Sequence, residues 1–145
     1  GSKTIHIPIN VKHDNVQEAE KEKEKGNEAY KAKRFEEALS HYRKAIELDN
    51  HNMVYHLNCA AVHLTCGDYD KCIDECEMAL KKAGDNKDGK EREHLAKAHH
   101  RKGKAHLKLR QYKEAVEALK KSLGLEYHAD TEEDLRTGTY HWHVL

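Results

Sequence analysis

Apolar residues return at separations of three and four along most of the chain, as in Phe35, Ala38, Leu39, Tyr42, Ala45 and Ile46, which places them on one face of a helix. Six helices are predicted on this basis, over 16–33, 35–48, 53–66, 69–82, 91–110 and 112–123. They come in pairs, and the pairs repeat. Gly26, Phe35, Ala38, Tyr42 and Ala45 align with Ala60, Tyr69, Cys72, Cys76 and Ala79, each 34 residues on. The same positions recur at Gly103, Tyr112, Ala115, Leu119 and Ser122, each 43 further, which is 34 plus an insertion of 9. That insertion falls in the polar stretch Gly84-Asp85-Asn86-Lys87-Asp88-Gly89-Lys90, which reads as a loop or a modest helix extension. An unrelated six-helix bundle would not require five positions at a constant offset.

Composition sharpens this picture. The chain has 145 residues, of which 37% are hydrophobic, with 15 Ala and 1 Pro, and a mean hydropathy of -1.03. Large apolar side chains are scarce, so the helices must pack through small residues: Gly26, Ala60 and Gly103 on the first helix of each pair, Ala38, Cys72 and Ala115 on the second. No apolar run approaches the ~20 residues of a membrane span. With 26 basic against 26 acidic residues, a general cationic field for nucleic acid is excluded, although a local patch is not. The 13 His would make the chain strongly cationic on acidification. Cys59, Cys66, Cys72 and Cys76 fall within one helical stretch and read as reduced thiols of a cytosolic protein.

The pattern resembles the tetratricopeptide repeat, a 34-residue helical hairpin that stacks into a right-handed α-solenoid. The resemblance implies an all-α fold of three tandem hairpins over 16–124, with repeats at about 19–52, 53–86 and 96–129. Residues 125–145 then form a capping segment and tail. The Pro that often closes a repeat is replaced by Asn50, after Glu47-Leu48-Asp49. In such a stack the first helices line the concave face, where a ligand lies.

Five polar residues on the first helices stand out. Relative to Gly26, Ala60 and Gly103 as equivalents, Lys23, Asn27, Asn58, Lys97 and Arg101 lie at -3, +1, -2, -6 and -2, offsets that share one helical stripe. Three cations and two amides, with no acidic residue expected on that stripe, make a receptor for anions. A C-terminal aspartate offers two adjacent carboxylates, and these five side chains can donate to both. Any one Lys in so charged a chain is ordinarily part of a solvated face; the combination at matching offsets is not.

This set resembles the dicarboxylate clamp of co-chaperone tetratricopeptide domains, which hold the C-terminal Glu-Glu-Val-Asp of cytosolic heat-shock chaperones. Within that group the chain is most similar to the central clamp domain of the Hsp-organising protein family. The stretches that carry the likeness are Lys23-Glu24-Lys25-Gly26-Asn27-Glu28-Ala29-Tyr30, Asn52-Met53-Val54-Tyr55, Asn58-Cys59-Ala60-Ala61-Val62 and Gly67-Asp68-Tyr69-Asp70-Lys71-Cys72. It implies that the partner is the Met-Glu-Glu-Val-Asp tail of heat shock protein 90, with the heat shock protein 70 tail or an immunophilin or phosphatase clamp as alternatives. Tyr30 and Val54 would form an apolar wall against the peptide. Thr65 and Lys104 would also touch it, Thr65 where an acidic residue is common and Lys104 where relatives often carry Asn. The chain would be part of a longer, cytoplasmic multi-domain co-chaperone, with no cofactor, nucleic acid or membrane partner.

A different class, a His/Cys metal or redox module, would use Cys72, Cys76, His41, His56 and His63. The repeat register opposes it, since Cys72 and Cys76 are equivalent to packing residues. His99-His100 and His141/His143 lack further ligands at a recognisable spacing. No phosphate loop or nucleophile arrangement is present, so no enzyme is expected.

At the ends, Gly1-Ser2 reads as a cloning scar and 1–15 as a linker, with Ile5, Ile7 and Ile9 around Pro8 alternating like an extended segment. Thr131-Glu132-Glu133-Asp134 is a helix start. Gly138 soon after it predicts a short capping helix, and Trp142, Val144 and Leu145 are expected to cover the last hairpin, unless Leu145 as a free terminus enters a neighbouring molecule's groove.

Overall fold

A computed structural model describes residues 9–84 and 89–144. Among the described residues there are seven helices and no strand: α1 (Ile9–Lys31), α2 (Phe35–Leu48), α3 (Met53–Cys66), α4 (Tyr69–Lys82), α5 (Gly89–Lys108), α6 (Tyr112–Leu125) and α7 (Ala129–Val144). They fall into two units, Gly1–His51 and Asn52–Leu145. The first is the hairpin of α1 and α2. In the second, α4 packs on α3 and α5, and α6 on α5 and α7. Helix α5 also touches α3 and α7, so α3, α5 and α7 form one layer and α4 and α6 the other.

The repeat found in the sequence reappears in the backbone. Lys33, Gly67 and Arg110 all have positive φ, of 62, 81 and 60°, and they sit at equivalent positions after α1, α3 and α5. At each, the first helix ends in the same left-handed turn, with the next amide closing back on a carbonyl five residues earlier: Arg34 on Ala29, Asp68 on His63 and Gln111 on His106. Only one of the three sites has glycine, the residue that takes this conformation without strain. Helix α3 starts on Asn52, whose Oδ1 accepts the Val54 amide at 3.0 Å.

Packing follows the small residues. A Cβ on Gly26 would lie 2.5 Å from the Tyr42 ring, and one on Gly103 would lie 2.7 Å from Leu119. These are the same contact in two hairpins, because Tyr42 and Leu119 occupy one register position. In the middle hairpin Ala60, Cys72 and Cys76 are buried together with Ile73 and Ala105, so both thiols are core residues, as their register implies. Hydrogen bonding to Cys72, and then burial, push the Cys76 thiol up. Met53, Leu57, Ala79 and Ala98 form a second cluster. Buried Ser122 donates to the Ala96 carbonyl at 2.8 Å, so no polar atom is stranded at the third copy of the Ala45 position.

Each of the first two hairpins also carries a histidine–glutamate link across its helices. His41 on α2 meets Glu22 on α1 at 2.7 Å, and His56 on α3 meets Glu75 on α4 at 2.8 Å. The positions are equivalent and the residues are exchanged. In the third hairpin the corresponding pair is His99 and Ala118, with no carboxylate.

Three expectations about the ends need correction. Helix α1 begins at Ile9 rather than at residue 16, so 9–15 is helical and not a linker; nothing after Pro8 in that stretch breaks a helix, and His13 and Gln17 are joined across one turn at 3.0 Å. Away from the ends, Gly89 and Lys90 open α5, the helix-extension alternative for that polar stretch. The capping helix is not short: α7 has 16 residues and passes straight through Gly138. A Cβ there would meet Leu107 at 3.1 Å and Val116 at 3.3 Å, so this glycine permits close approach to the last hairpin rather than ending the helix. Trp142 and Val144 are 43% and 64% exposed and do not cover that hairpin. Thr131 and Gly138 do, and His141 stacks on Tyr112 with ring centroids 5.0 Å apart. The readings of Gly1-Ser2, Ile5, Ile7, Pro8, residues 85–88 and Leu145 lie outside the described residues.

Candidate functional site

In the first unit, Lys23 and Asn27 are one turn apart on α1, and Gly26 lies between them. Because Gly26 has no side chain, buried Tyr42 can reach past it and donate its hydroxyl to Asn27 Oδ1 at 2.5 Å. That bond fixes the amide so that Nδ2 remains as a donor. Lys23 is partly buried, and its Nζ lies 2.7 Å from Glu20. Tyr30, one turn beyond Asn27, is half-buried and packs edge-on against Phe35 at 5.7 Å.

In the second unit, Arg101 on α5 donates from Nη1 to the carbonyl of Leu57 on α3 at 2.8 Å. The guanidinium is thereby held beside the peptide that leads into Asn58. Asn58 is partly buried, and its side-chain amide makes no hydrogen bond to another described residue. Lys97 stands one turn before Arg101, exposed, with Nζ 3.3 Å from Glu93. Lys97, His100 and Arg101 line a cavity of about 240 Å³ against the start of α7.

The expected absence of acid from the stripe is therefore corrected. Glu20 and Glu93 lie three and four residues before Lys23 and Lys97, which is the spacing at which helix side chains meet. The Lys97–Glu93 pair is exposed, the kind worth ~0–1 kcal/mol, and the Lys23–Glu20 pair, local to one helix turn, is part-buried; a ligand carboxylate with several donors competes with both.

The four residues expected to touch the peptide differ in setting. Val54 is half-buried in the first turn of α3. Thr65 is exposed near the end of that helix, with Oγ1 bonded to the Ala61 carbonyl at 3.0 Å. Lys104 is tied to α7 through Asp134 at 3.2 Å. Two supporting residues escaped sequence reasoning. Tyr42 reads as a packing residue at its repeat position, and Asp134 lies in what looked like a cap signal; the phenol of Tyr42, where the equivalent positions carry Cys76 and Leu119, was the hint of a polar task.

Tetratricopeptide repeats are matched over residues 50–125 and over 26–72, so the chain belongs to the tetratricopeptide repeat family, a class of protein-interaction modules. It is 40% identical over 115 residues to the Hsp70-Hsp90 organizing protein of Triticum aestivum, an alignment covering 77% of the chain and 19% of that protein. The chain thus spans about a fifth of the length of that curated relative. Among solved structures, the TPR2AB domain of yeast Sti1 in complex with pHSP90 is 34% identical with a TM-score of 0.73, over 84% of this chain and 46% of that one. The first TPR of Spaghetti (RPAP3), bound to the HSP90 peptide SRMEEVD, is 26% identical with a TM-score of 0.77, over 86% and 93%. Among the described residues, no helix is long and apolar enough to cross a membrane.

Proposed function

We propose that the chain is a peptide-binding co-chaperone module for the acidic C-terminal tail of heat shock protein 90, with no catalysis of its own, working in the cytoplasm as part of a longer protein. The observation that carries this reading is the donor set on α3 and α5: Arg101 locked onto the Leu57 carbonyl, Asn58 beside it, and Lys97 one turn away. These three suit a carboxylate pair. Lys23 and the Tyr42-oriented Asn27 carry the same chemistry on α1, and the repeat register of the sequence puts them on the equivalent stripe. The likeness to a domain bound to SRMEEVD supports a terminal aspartate as the ligand.

Each charge-assisted hydrogen bond is worth roughly 1.5–3 kcal/mol net. Three or four, after ordering costs, give about -8 kcal/mol, a micromolar complex. Tyr30 and Val54 offer apolar surface to the peptide's Val and Met, and Thr65 a polar rim. Lys104 becomes available to a peptide only in exchange for Asp134.

The test is a calorimetric titration with Met-Glu-Glu-Val-Asp as free acid and as amide, and with an Ile-Glu-Glu-Val-Asp version. Binding of the acid and loss of the amide are expected. Equal binding of both would remove the clamp; tighter binding of the Ile version would redirect it to heat shock protein 70.

A further inference from the structure

Helix α7 does more than cover the last hairpin. One oxygen of Asp134, Oδ2, lies 3.0 Å from His100 Nε2 and 3.2 Å from Lys104 Nζ. His100 and Lys104 are one turn apart on α5, and both stand 77 residues after Lys23 and Asn27, at the same repeat positions. They interleave with Lys97 and Arg101, so that residues 97, 100, 101 and 104 form one continuous donor face on α5. The third hairpin therefore carries its own copy of the α1 donor pair, and a carboxylate of the same chain sits on it.

Asp134 is not the sole contact that seats α7. Buried Thr131, the close approach at Gly138 and the stacking of His141 on Tyr112 also join it to the last hairpin. The side chains of His100 and Lys104 are 21% and 41% exposed, so a ligand carboxylate can approach both donors. A ligand that would use them must first displace Asp134.

We propose that Asp134 is a specificity-determining residue of the peptide site: by occupying His100 and Lys104, it denies that donor pair to carboxylates of the ligand beyond those the clamp takes. The inference rests on the acidic-tail reading above. In the native chain, acidic residues added to a tail gain little; with Asp134 neutralised, they gain an ion pair.

The experiment uses two extended peptides, Asp-Asp-Met-Glu-Glu-Val-Asp and Ser-Ser-Met-Glu-Glu-Val-Asp, titrated at low salt into the intact chain and into Asp134→Asn. In the native chain the two affinities should agree within twofold. In Asp134→Asn the Asp-Asp peptide should bind about fivefold tighter than the Ser-Ser peptide, the worth of one exposed ion pair. Adding Lys104→Gln to Asp134→Asn should abolish the difference, and circular dichroism should show both variants folded. An unchanged ratio in Asp134→Asn, with peptide binding intact, overturns the role of Asp134 alone. Equal weakening for both peptides would reduce Asp134 to a helix staple. Failure of the native chain to bind either free acid removes the peptide reading and this inference with it.

Discussion

Replacing Gly103 by Ala should destabilise the chain even though alanine is the better helix former. A Cβ at this position would stand 2.7 Å from Leu119 Cδ2 and Cγ, and 3.4 Å from the Ala115 carbonyl. Carbon atoms pack at about 3.5–4.0 Å, so roughly 1 Å must be opened between α5 and α6. Leu119 is fully buried and cannot swing into solvent to provide it. Overpacking of this size costs about 1–3 kcal/mol, against ~0.8–1.0 kcal/mol gained from helix propensity. A net loss of about 1 kcal/mol is expected, a few degrees in Tm for a chain of this length. Gly124→Ala in the last turn of α6 is the control: no neighbouring element lies within 4 Å of its Cβ, so no clash opposes the propensity gain, which near a helix end is a part of the ~1 kcal/mol of a helix interior. Urea unfolding followed by circular dichroism measures both. In the double variant Gly103→Ala with Leu119→Ala, the clash is relieved, and the two substitutions should couple favourably by about 1 kcal/mol or more. A Gly103→Ala chain as stable as the parent, or strict additivity in that cycle, would refute the close-approach argument.

Other expectations follow from single features. Lys33→Gly and Arg110→Gly, at φ of 62 and 60°, should each stabilise the chain by up to ~1 kcal/mol by relieving left-handed strain, read from urea midpoints. Burial first, and then Lys121 and Lys102, depress His99 to about 4. The unfolded chain, with a reference value of ~6.5, therefore binds the proton first. Stability should be whole above that value and fall as pH drops towards 4, and His99→Gln should flatten this limb in a pH series of unfolding curves. Glu22, held below the ordinary carboxylate value of 4.5 by its hydrogen bond with His41, keeps its contribution until pH falls below that range, and Glu22→Gln should remove only this more acidic part. Tyr42→Phe retains the ring under Gly26 but releases Asn27; peptide affinity should fall by about 1 kcal/mol in calorimetry while the fold is retained.

Much of the fold is legible in the residues. Offsets of 34 and 43 pair Gly26 with Gly103 and Tyr42 with Leu119, and the structure makes the same contact from each pair. The bounds of α2, α3 and α4 coincide with the periodic stretches. Cys72 and Cys76 lie in the core where their register puts them. The ion pairs of Lys23 with Glu20 and Lys97 with Glu93 were readable too, being local spacings, but a stripe defined by cations alone overlooks the turn before each one. Gly138 misleads because a glycine late in a chain signals a helix end, whereas here the nearby Leu107 and Val116 decide its role.

The paired helices of the three hairpins are written in the residues themselves, because periodicity and capping act over a few residues and are local. Packing alone brings Tyr42 to Asn27, pins Arg101 to the Leu57 carbonyl, exchanges the ends of the histidine–glutamate links between hairpins, and lays Asp134 on His100 and Lys104. Those partners are 15 to 44 residues apart. Whether such groups meet depends on how closely the helix backbones approach, which the small side chains between them set and no local pattern states.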